Sequence, residues 1–205
     1  EDLHLIIYFI IVITIFYIFF SYNTNFSINF LAITTSISNI GFSLNTNQSN
    51  LSLIFLILVI IGGSFFSTSS GLRFIKIYSL FKYSINQILS YSRPKNIFMN
   101  KLLFTEINFD FKEINKYFLT IIIFIISLFT LTILLSLSSI DFESAFKLSI
   151  LTIMNTVNSA SYGLSDFDFY NLNYFTKYCL ILFMIIGRIE LLTILIIIKN
   201  FLFKD

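Results

Sequence analysis

Two short polar stretches of the chain carry residue types that suit the binding of a dehydrated cation by backbone oxygens. Residues 36–41 read Ser-Ile-Ser-Asn-Ile-Gly and residues 155–160 read Asn-Thr-Val-Asn-Ser-Ala, and each stretch follows a short apolar run. A helix that ends there leaves carbonyl groups without partners and places partial negative charge at that end. Carbonyls of this kind replace the water shell of an ion in selectivity filters. Gly41 suits this role because Gly reaches unusual backbone angles freely, and Asn158, which tolerates the left-handed region, holds the comparable position in the second stretch.

The elements that position these stretches repeat along the chain. Four long apolar stretches approach the roughly 20 residues that a helix needs to cross the hydrocarbon core of a bilayer. They are residues 3–20, 51–66, 117–137 and 178–198. Shorter apolar segments, residues 28–37 and 144–157, lie inside the two pairs and have a length typical of re-entrant or buried segments. The order long, short, long thus occurs twice, which counts against the plainer interpretation of polar loops between ordinary spans.

The sequence therefore predicts an all-α membrane protein with two membrane-pore-membrane repeats, each with a re-entrant pore helix and a filter loop. The first unit is expected to cover residues 1–83 and the second residues 117–205, with a linker at residues 84–116.

The composition agrees with a membrane location. Of the 205 residues, 57% are hydrophobic and 12% are charged, whereas roughly 25% of the residues in soluble domains are charged. The single Cys179 and the single His4 exclude an internal disulfide framework and leave little for a zinc site or His-based catalysis. We therefore expect no enzyme activity and no bound cofactor, and the net charge of +2 gives no reason to expect nucleic acid as a partner.

The distribution of Lys and Arg predicts the orientation of the chain in the membrane. Many of the basic residues lie in the connector from residue 73 to residue 116 or in the C-terminal tail, whereas residues 21–50 contain none. They are Arg73, Lys76, Lys82, Arg93, Lys95, Lys101, Lys112, Lys116, Lys199 and Lys204. The linker and the C-terminus of this multi-pass protein are therefore expected on the cytoplasmic side of a bacterial inner membrane, where basic side chains contact acidic lipids.

Two further motifs resemble those of the TrkH/KtrB-type potassium uptake subunits. Residues 61–73 read Ile-Gly-Gly-Ser-Phe-Phe-Ser-Thr-Ser-Ser-Gly-Leu-Arg, which is similar to the Gly-Gly, Ser-Thr, Gly, basic signature of that family. Residues 184–193 read Met-Ile-Ile-Gly-Arg-Ile-Glu-Leu-Leu-Thr, which resembles its Gly-Arg-Leu-Glu span. The resemblance covers nearly the whole chain and corresponds to the C-terminal half of the family, the third and fourth of four membrane-pore-membrane units.

The resemblance implies a subunit that conducts potassium through four pore loops arranged around one axis. Matched by position, the third filter strand is Ser38, Asn39, Ile40, Gly41 and Phe42, and the fourth is Asn155, Thr156, Val157 and Asn158. The chain departs from the family at Asn158, where Gly is usual, and at Phe65 and Phe66, where small residues are usual in the gating loop.

A polar run and two charged residues inside the later spans form the expected gate. The residues are Gly63, Ser67, Thr68, Ser69, Ser70 and Gly71 in the second span, with Arg188 and Glu190 in the fourth. Ser and Gly disfavour helix, so the second span is expected to break there, either in a cavity or at a helix end near the interface. A charge at Arg188 needs a polar environment, which Glu190, two residues further on, cannot supply from the same helix. Partners on other helices would serve assembly, whereas the resemblance favours Arg188 in the cavity below the filter.

We therefore expect a potassium transport subunit of a Trk-type uptake system, with potassium as the substrate held by backbone carbonyls. Two pore units make half of a four-loop filter, so an N-terminal half or a second copy must complete it, and a homodimer is the expected assembly. The resemblance also implies a cytoplasmic nucleotide-binding regulatory subunit as a partner, beside membrane lipid. The alternative is a non-conducting or degenerate membrane fragment that only assembles with other subunits.

Overall fold

The computed structural model describes residues 2–20, 26–42, 51–62, 72, 74–92, 111–157, 160–164 and 167–188. Across these ranges the regular structure is helical and contains no strand, in agreement with the predicted all-α class. The helices are α1 (Asp2–Phe20), α2 (Phe26–Ile37), α3 (Ser52–Ile60), α4 (Phe74–Ser92), α5 (Phe111–Ser136), α6 (Phe142–Met154) and α7 (Tyr174–Arg188), and one 3₁₀ turn covers Ala160–Tyr162.

The helix α5 has the dimensions of a membrane span. Within the part of the chain that the structure describes, its residues Glu113–Ser136 form the one helix that is long and apolar enough to cross a bilayer. Ile6–Ile18 and Ser27–Ile37 form shorter apolar helices. The helix α5 starts at Phe111, ahead of the apolar stretch predicted from Tyr117, because the intervening Lys and Glu lower the hydropathy but are good helix formers.

The two faces of α5 have different surroundings. Exposed apolar side chains recur at three- and four-residue intervals along one face, at Phe118, Ile122, Ile125, Phe129 and Ile133. The opposite face is buried and includes Thr132, whose hydroxyl donates a hydrogen bond to Oγ of Ser149 in α6 at 3.1 Å. A helix that turns apolar side chains outward and bonds its polar groups inward suits lipid surroundings.

The helices α2 and α6 occupy the two short apolar segments of the sequence. The helix α6 ends at Met154, before the predicted end at Val157, because Asn155 leaves the helical conformation. The helix α3 ends at Ile60, inside the stretch predicted to continue to Phe66, and Gly62 follows it closely. Residues 63–66 and 189–198 of the predicted spans lie outside the described residues.

The packing centres on α6, which contacts α5, α7 and α3. The helix α2 contacts α1 and α3, and α4 packs along α5. The core side chains Phe55 and Val59 of α3, Leu131 of α5 and Ala145 of α6 are fully buried. Helices in lipid gain little from the hydrophobic effect, so such close packing and interhelical hydrogen bonds carry their association.

The helix α4 runs through the predicted boundary between residues 83 and 84. Phe74 at its start stacks on Tyr8 of α1, with the ring centroids 4.8 Å apart. Further along, Phe81, Ile85 and Ile88 are exposed on one side. The first part of the predicted linker, residues 84–92, is therefore helical and continues α4.

Candidate functional site

The helices α2 and α6 end in the same way. Asn39 after α2 and Asn155 after α6 both adopt the left-handed conformation, with φ of 56° and 53°, which Asn tolerates better than most residues. The amides that follow reach back to carbonyls of the last turn, in the pattern known as a Schellman cap. The bonds run from Asn39 to Ser36, Ile40 to Thr35, Asn155 to Thr152 and Thr156 to Leu151, at 2.9 to 3.2 Å.

The caps determine which carbonyl oxygens lie open to a ligand. The sequence predicts open carbonyls at the last helical turn, but the caps engage carbonyls of that turn in both helices. The candidate ligand oxygens therefore belong to the residues that follow. We call residues 38–42 the first capping segment and residues 155–157 the second capping segment.

The two capping segments touch at Gly41. This glycine has a φ of 78°, and a Cβ atom there would overlap the carbonyl oxygen of Val157 and stand 2.8 Å from Cγ2 of Thr156. Only a residue without a side chain allows this approach. The hydroxyl of Thr35 donates to the carbonyl of Phe42 at 2.8 Å, which holds the first capping segment against its helix. The structure thus brings residues of the third and fourth predicted filter strands together.

Each capping segment has a buried side and an open side. Gly41, Asn39 and Thr156 are buried. Ile40 and Phe42 are 58% and 56% exposed, and Val157 is 66% exposed. Apolar side chains of alternating residues therefore point away from the rest of the chain, on a surface that further protein could cover.

The hydroxyl of Thr156 has unusual surroundings. Its residue is 5% exposed, and within the described part of the chain its Oγ1 atom has no hydrogen-bond partner. Leaving a buried hydroxyl unpaired costs about 1–3 kcal/mol. This oxygen, next to Gly41, therefore has hydrogen-bonding capacity that the described part of the chain does not use.

Two glycines bring the following helices against the ends of α2 and α6. A Cβ atom on Gly62 would overlap the carbonyl oxygen of Ile37, and one on Gly187 would overlap the carbonyl oxygen of Ile153. Ile37 and Ile153 stand at the same place relative to their caps. Small residues at such crossings let helix backbones approach closely in membranes.

Arg188 is the last described residue of α7 and is exposed. Its neighbour Gly187 is buried against α6, and the side chain of Asn155 donates to the carbonyl of Met184 at 3.0 Å. These contacts place the end of α7, with Arg188, beside the last turn of α6. The other predicted gate residues, Gly63, Ser67, Thr68, Ser69, Ser70, Gly71 and Glu190, lie outside the described residues.

The sequence reasoning missed the turn at residues 160–164. Gly163 has a φ of 71°, close to that of Gly41, and Tyr162 is fully buried with its hydroxyl 3.3 Å from Oγ of Ser36 in α2. The sequence does contain a signal for this turn, because residues 40–43 read Ile-Gly-Phe-Ser and residues 162–165 read Tyr-Gly-Leu-Ser. By its distance from the cap, Gly41 matches Val157 rather than Asn158, which lies outside the described residues.

Comparison with known proteins identifies a family. A family model described as TrkH, cation transport protein, matches residues 34–202. The match begins within α2 and includes both capping segments, the two glycine contacts and Arg188. A search of curated proteins found no match.

Proposed function

The chain belongs to the TrkH family of cation transport proteins, and on that premise we propose that it is a potassium-conducting subunit of a Trk-type uptake system. The family is one of cation transporters in membranes and not of enzymes. The observation that carries the proposal is the contact between Gly41 and the backbone of Val157, which joins two capping segments that follow short helices.

In this proposal α2 and α6 are re-entrant pore helices of two membrane-pore-membrane repeats. They have 12 and 13 residues, a length of about 18–20 Å, which is too short for a hydrocarbon core of about 30 Å. Their matching caps and their matching contacts with Gly62 and Gly187 support a repeat. The C-terminal ends of both helices would direct partial negative charge toward a dehydrated cation.

The filter would be lined by backbone carbonyls of the capping segments. The carbonyl oxygens of two segments, residues 38–42 and residues 155–158, are the proposed ligands for potassium. Potassium is the substrate here and not a cofactor. The buried hydroxyl of Thr156 is suited to add a side-chain oxygen. The turn at Gly163, which follows the second of these segments in the chain, has a backbone conformation similar to that of Gly41.

A complete filter needs further segments beside the two described. The exposed side chains of Ile40, Phe42 and Val157 mark the surface where they would pack. We propose that a second copy of the chain, as a homodimer, or an N-terminal half with two more pore units covers this surface. The symmetry of a two-copy assembly would place four capping segments around one axis.

The orientation follows from the basic residues. By the positive-inside rule, α4 and the start of α5 would face the cytoplasm of a bacterial inner membrane. Lys82 on α4 would then lie near acidic lipid headgroups, whereas Lys76 is buried. The family resemblance adds a nucleotide-binding regulatory subunit on that face, and Gly63, Ser67, Thr68, Ser69, Ser70 and Gly71 would form the gate with Arg188 and Glu190.

Replacing Arg188 by alanine is expected to raise the maximal rate of rubidium uptake. In the proposed assembly its guanidinium lies in the cavity below the filter, where a fixed positive charge slows cation passage. Removing it should increase the rate about fivefold to tenfold, the size expected for a unit charge about 12–17 Å away at an effective dielectric constant of about 20. Arg188→Lys retains the charge and should transport like the unaltered protein. Unchanged uptake by a folded Arg188→Ala variant would contradict this role.

Growth of a potassium-uptake-deficient bacterium at low potassium tests the proposed function. The chain should restore growth, either alone or together with the N-terminal half of a family member. The first outcome supports a homodimer and the second a divided transporter. Failure in both settings, with the protein present in the membrane, would instead support a non-conducting subunit that only assembles with others.

A further inference from the structure

Lys147 brings a positive charge close to the turn at Gly163. It lies in the second turn of α6 and is 8% exposed, an unusual burial for a lysine. Its Nζ atom is 3.2 Å from the point that a Cβ atom on Gly163 would occupy, and Ser52 at the start of α3 closes the same side. The ammonium group therefore fits here because residue 163 has no side chain.

The partner of this ammonium group is on the outside of the fold. Lys147 donates a hydrogen bond to Oε1 of Glu143, one helical turn earlier, and the Glu143 side chain is 79% exposed. The hydrogen bond from Lys147 and its positive charge hold the pKa of the Glu143 carboxyl below its usual range. The Glu143 carboxyl is thus held in its charged form, and water screens this exposed group much more than the buried side chain of Lys147.

The pair lies beside the Gly163 turn, which is linked to the helix of the first capping segment, and this position gives it an electrostatic role. The turn that holds Gly163 is bonded to α2 through Tyr162 and Ser36, and α2 ends in the first capping segment. A buried charge acts on a neighbouring cation through protein of low dielectric constant, so the ammonium raises the energy of that cation while the screened carboxylate offsets it only in part. An ion pair that only stabilised α6 would not have to lie beside the Gly163 turn.

We infer that Lys147, balanced by Glu143, sets the cation affinity of the filter by electrostatic repulsion from behind the Gly163 turn. This inference rests on the proposed function. Lys147 acts here as a positioning charge and does not touch the ion. Neutralising the lysine and neutralising the glutamate should change the affinity in opposite directions, because the two groups contribute opposite charges.

The test is the concentration dependence of rubidium uptake in cells that express the complete transporter. Lys147→Met, which keeps the length of the side chain, should lower the KM about fivefold, the size expected for a unit charge about 17 Å from the ion at an effective dielectric constant of about 20. Glu143→Gln should raise the KM about threefold, a smaller change because water screens the carboxylate. Lys147→Arg should keep the KM of the unaltered protein. Lys177→Met is the matched control, because it removes a lysine whose ammonium group has different partners. Lys177 donates to the carbonyl of Tyr170 at 2.9 Å and lies near two tyrosine rings. The KM of this variant should equal that of the unaltered protein.

Two kinds of failure can be told apart. Absence of uptake by the unaltered protein would overturn the proposed function itself. Normal uptake by the unaltered protein, with a KM that is unchanged or moves in the same direction in Lys147→Met and Glu143→Gln, would overturn only the role of the pair. If Lys147→Met fails to reach the membrane, Glu143→Gln and Lys147→Arg decide, because an unchanged KM in Glu143→Gln would then suffice to reject the inference.

Discussion

Replacing Gly41 by alanine is expected to reduce cation uptake at least tenfold. The left-handed backbone at this position costs an L-residue with a side chain about 1–2 kcal/mol, and each 1.4 kcal/mol corresponds to about a factor of ten. The new methyl group would also overlap the carbonyl oxygen of Val157. Because the caps fix both backbones, the two capping segments would have to separate, and the arrangement of carbonyl oxygens between them would be lost.

The measurement is rubidium uptake at equal amounts of protein in the membrane. Ser84→Ala is a suitable control, since Ser84 is exposed on α4, which packs along α5. It should transport like the unaltered protein. Full uptake by Gly41→Ala would show that the contact between the capping segments does not matter for transport.

The second large effect is expected at the glycines that face the ends of the pore helices. Gly187→Ala would press a methyl group into the carbonyl oxygen of Ile153, and Gly62→Ala would do the same at Ile37. Overpacking against backbone, which cannot rotate away, typically costs about 1–3 kcal/mol. For a protein of this size that corresponds to a loss of roughly 5 °C in melting temperature.

Thermal unfolding of the purified protein in detergent measures this effect. Both variants should melt below the unaltered protein by similar amounts, because the two contacts are alike. Ser84→Ala again serves as the control and should melt with the unaltered protein. A Gly187→Ala or Gly62→Ala variant that melts at the original temperature would mean that the helices do not cross as closely as described.

Much of the helical framework can be predicted from hydropathy. The two short apolar segments became α2 and α6 within a few residues, since an apolar run needs no distant partner to be recognised. The start of α5 was less accessible, because Lys112, Glu113 and Lys116 hide a helix from a hydropathy profile. Asn39 and Asn155 were singled out as polar residues after a helix, but their role as caps depends on backbone angles.

The parts of the site that could not be predicted depend on contacts between distant residues. Tyr162 and Ser36 are 126 residues apart in the chain, and no local pattern announces their contact. The spacing of Glu143 and Lys147 predicts an ion pair on one helix face, but the approach of Lys147 to Gly163 appears only when α6 packs beside the turn. Gly62 and Gly187 belong to the two motifs identified in the sequence. The carbonyl oxygens that they accommodate, of Ile37 and Ile153, are identified only by the structure.

The central claim is that the capping segments form a filter for dehydrated potassium, and flux through the purified protein tests it most directly. The protein, with its N-terminal half if that is required for assembly, would be reconstituted into liposomes loaded with potassium, and radioactive rubidium would be added to the external solution. Rubidium should accumulate, and external potassium should compete with it much more strongly than sodium, while Gly41→Ala liposomes should remain near background. Absence of rubidium accumulation in liposomes that contain correctly assembled protein would contradict the account.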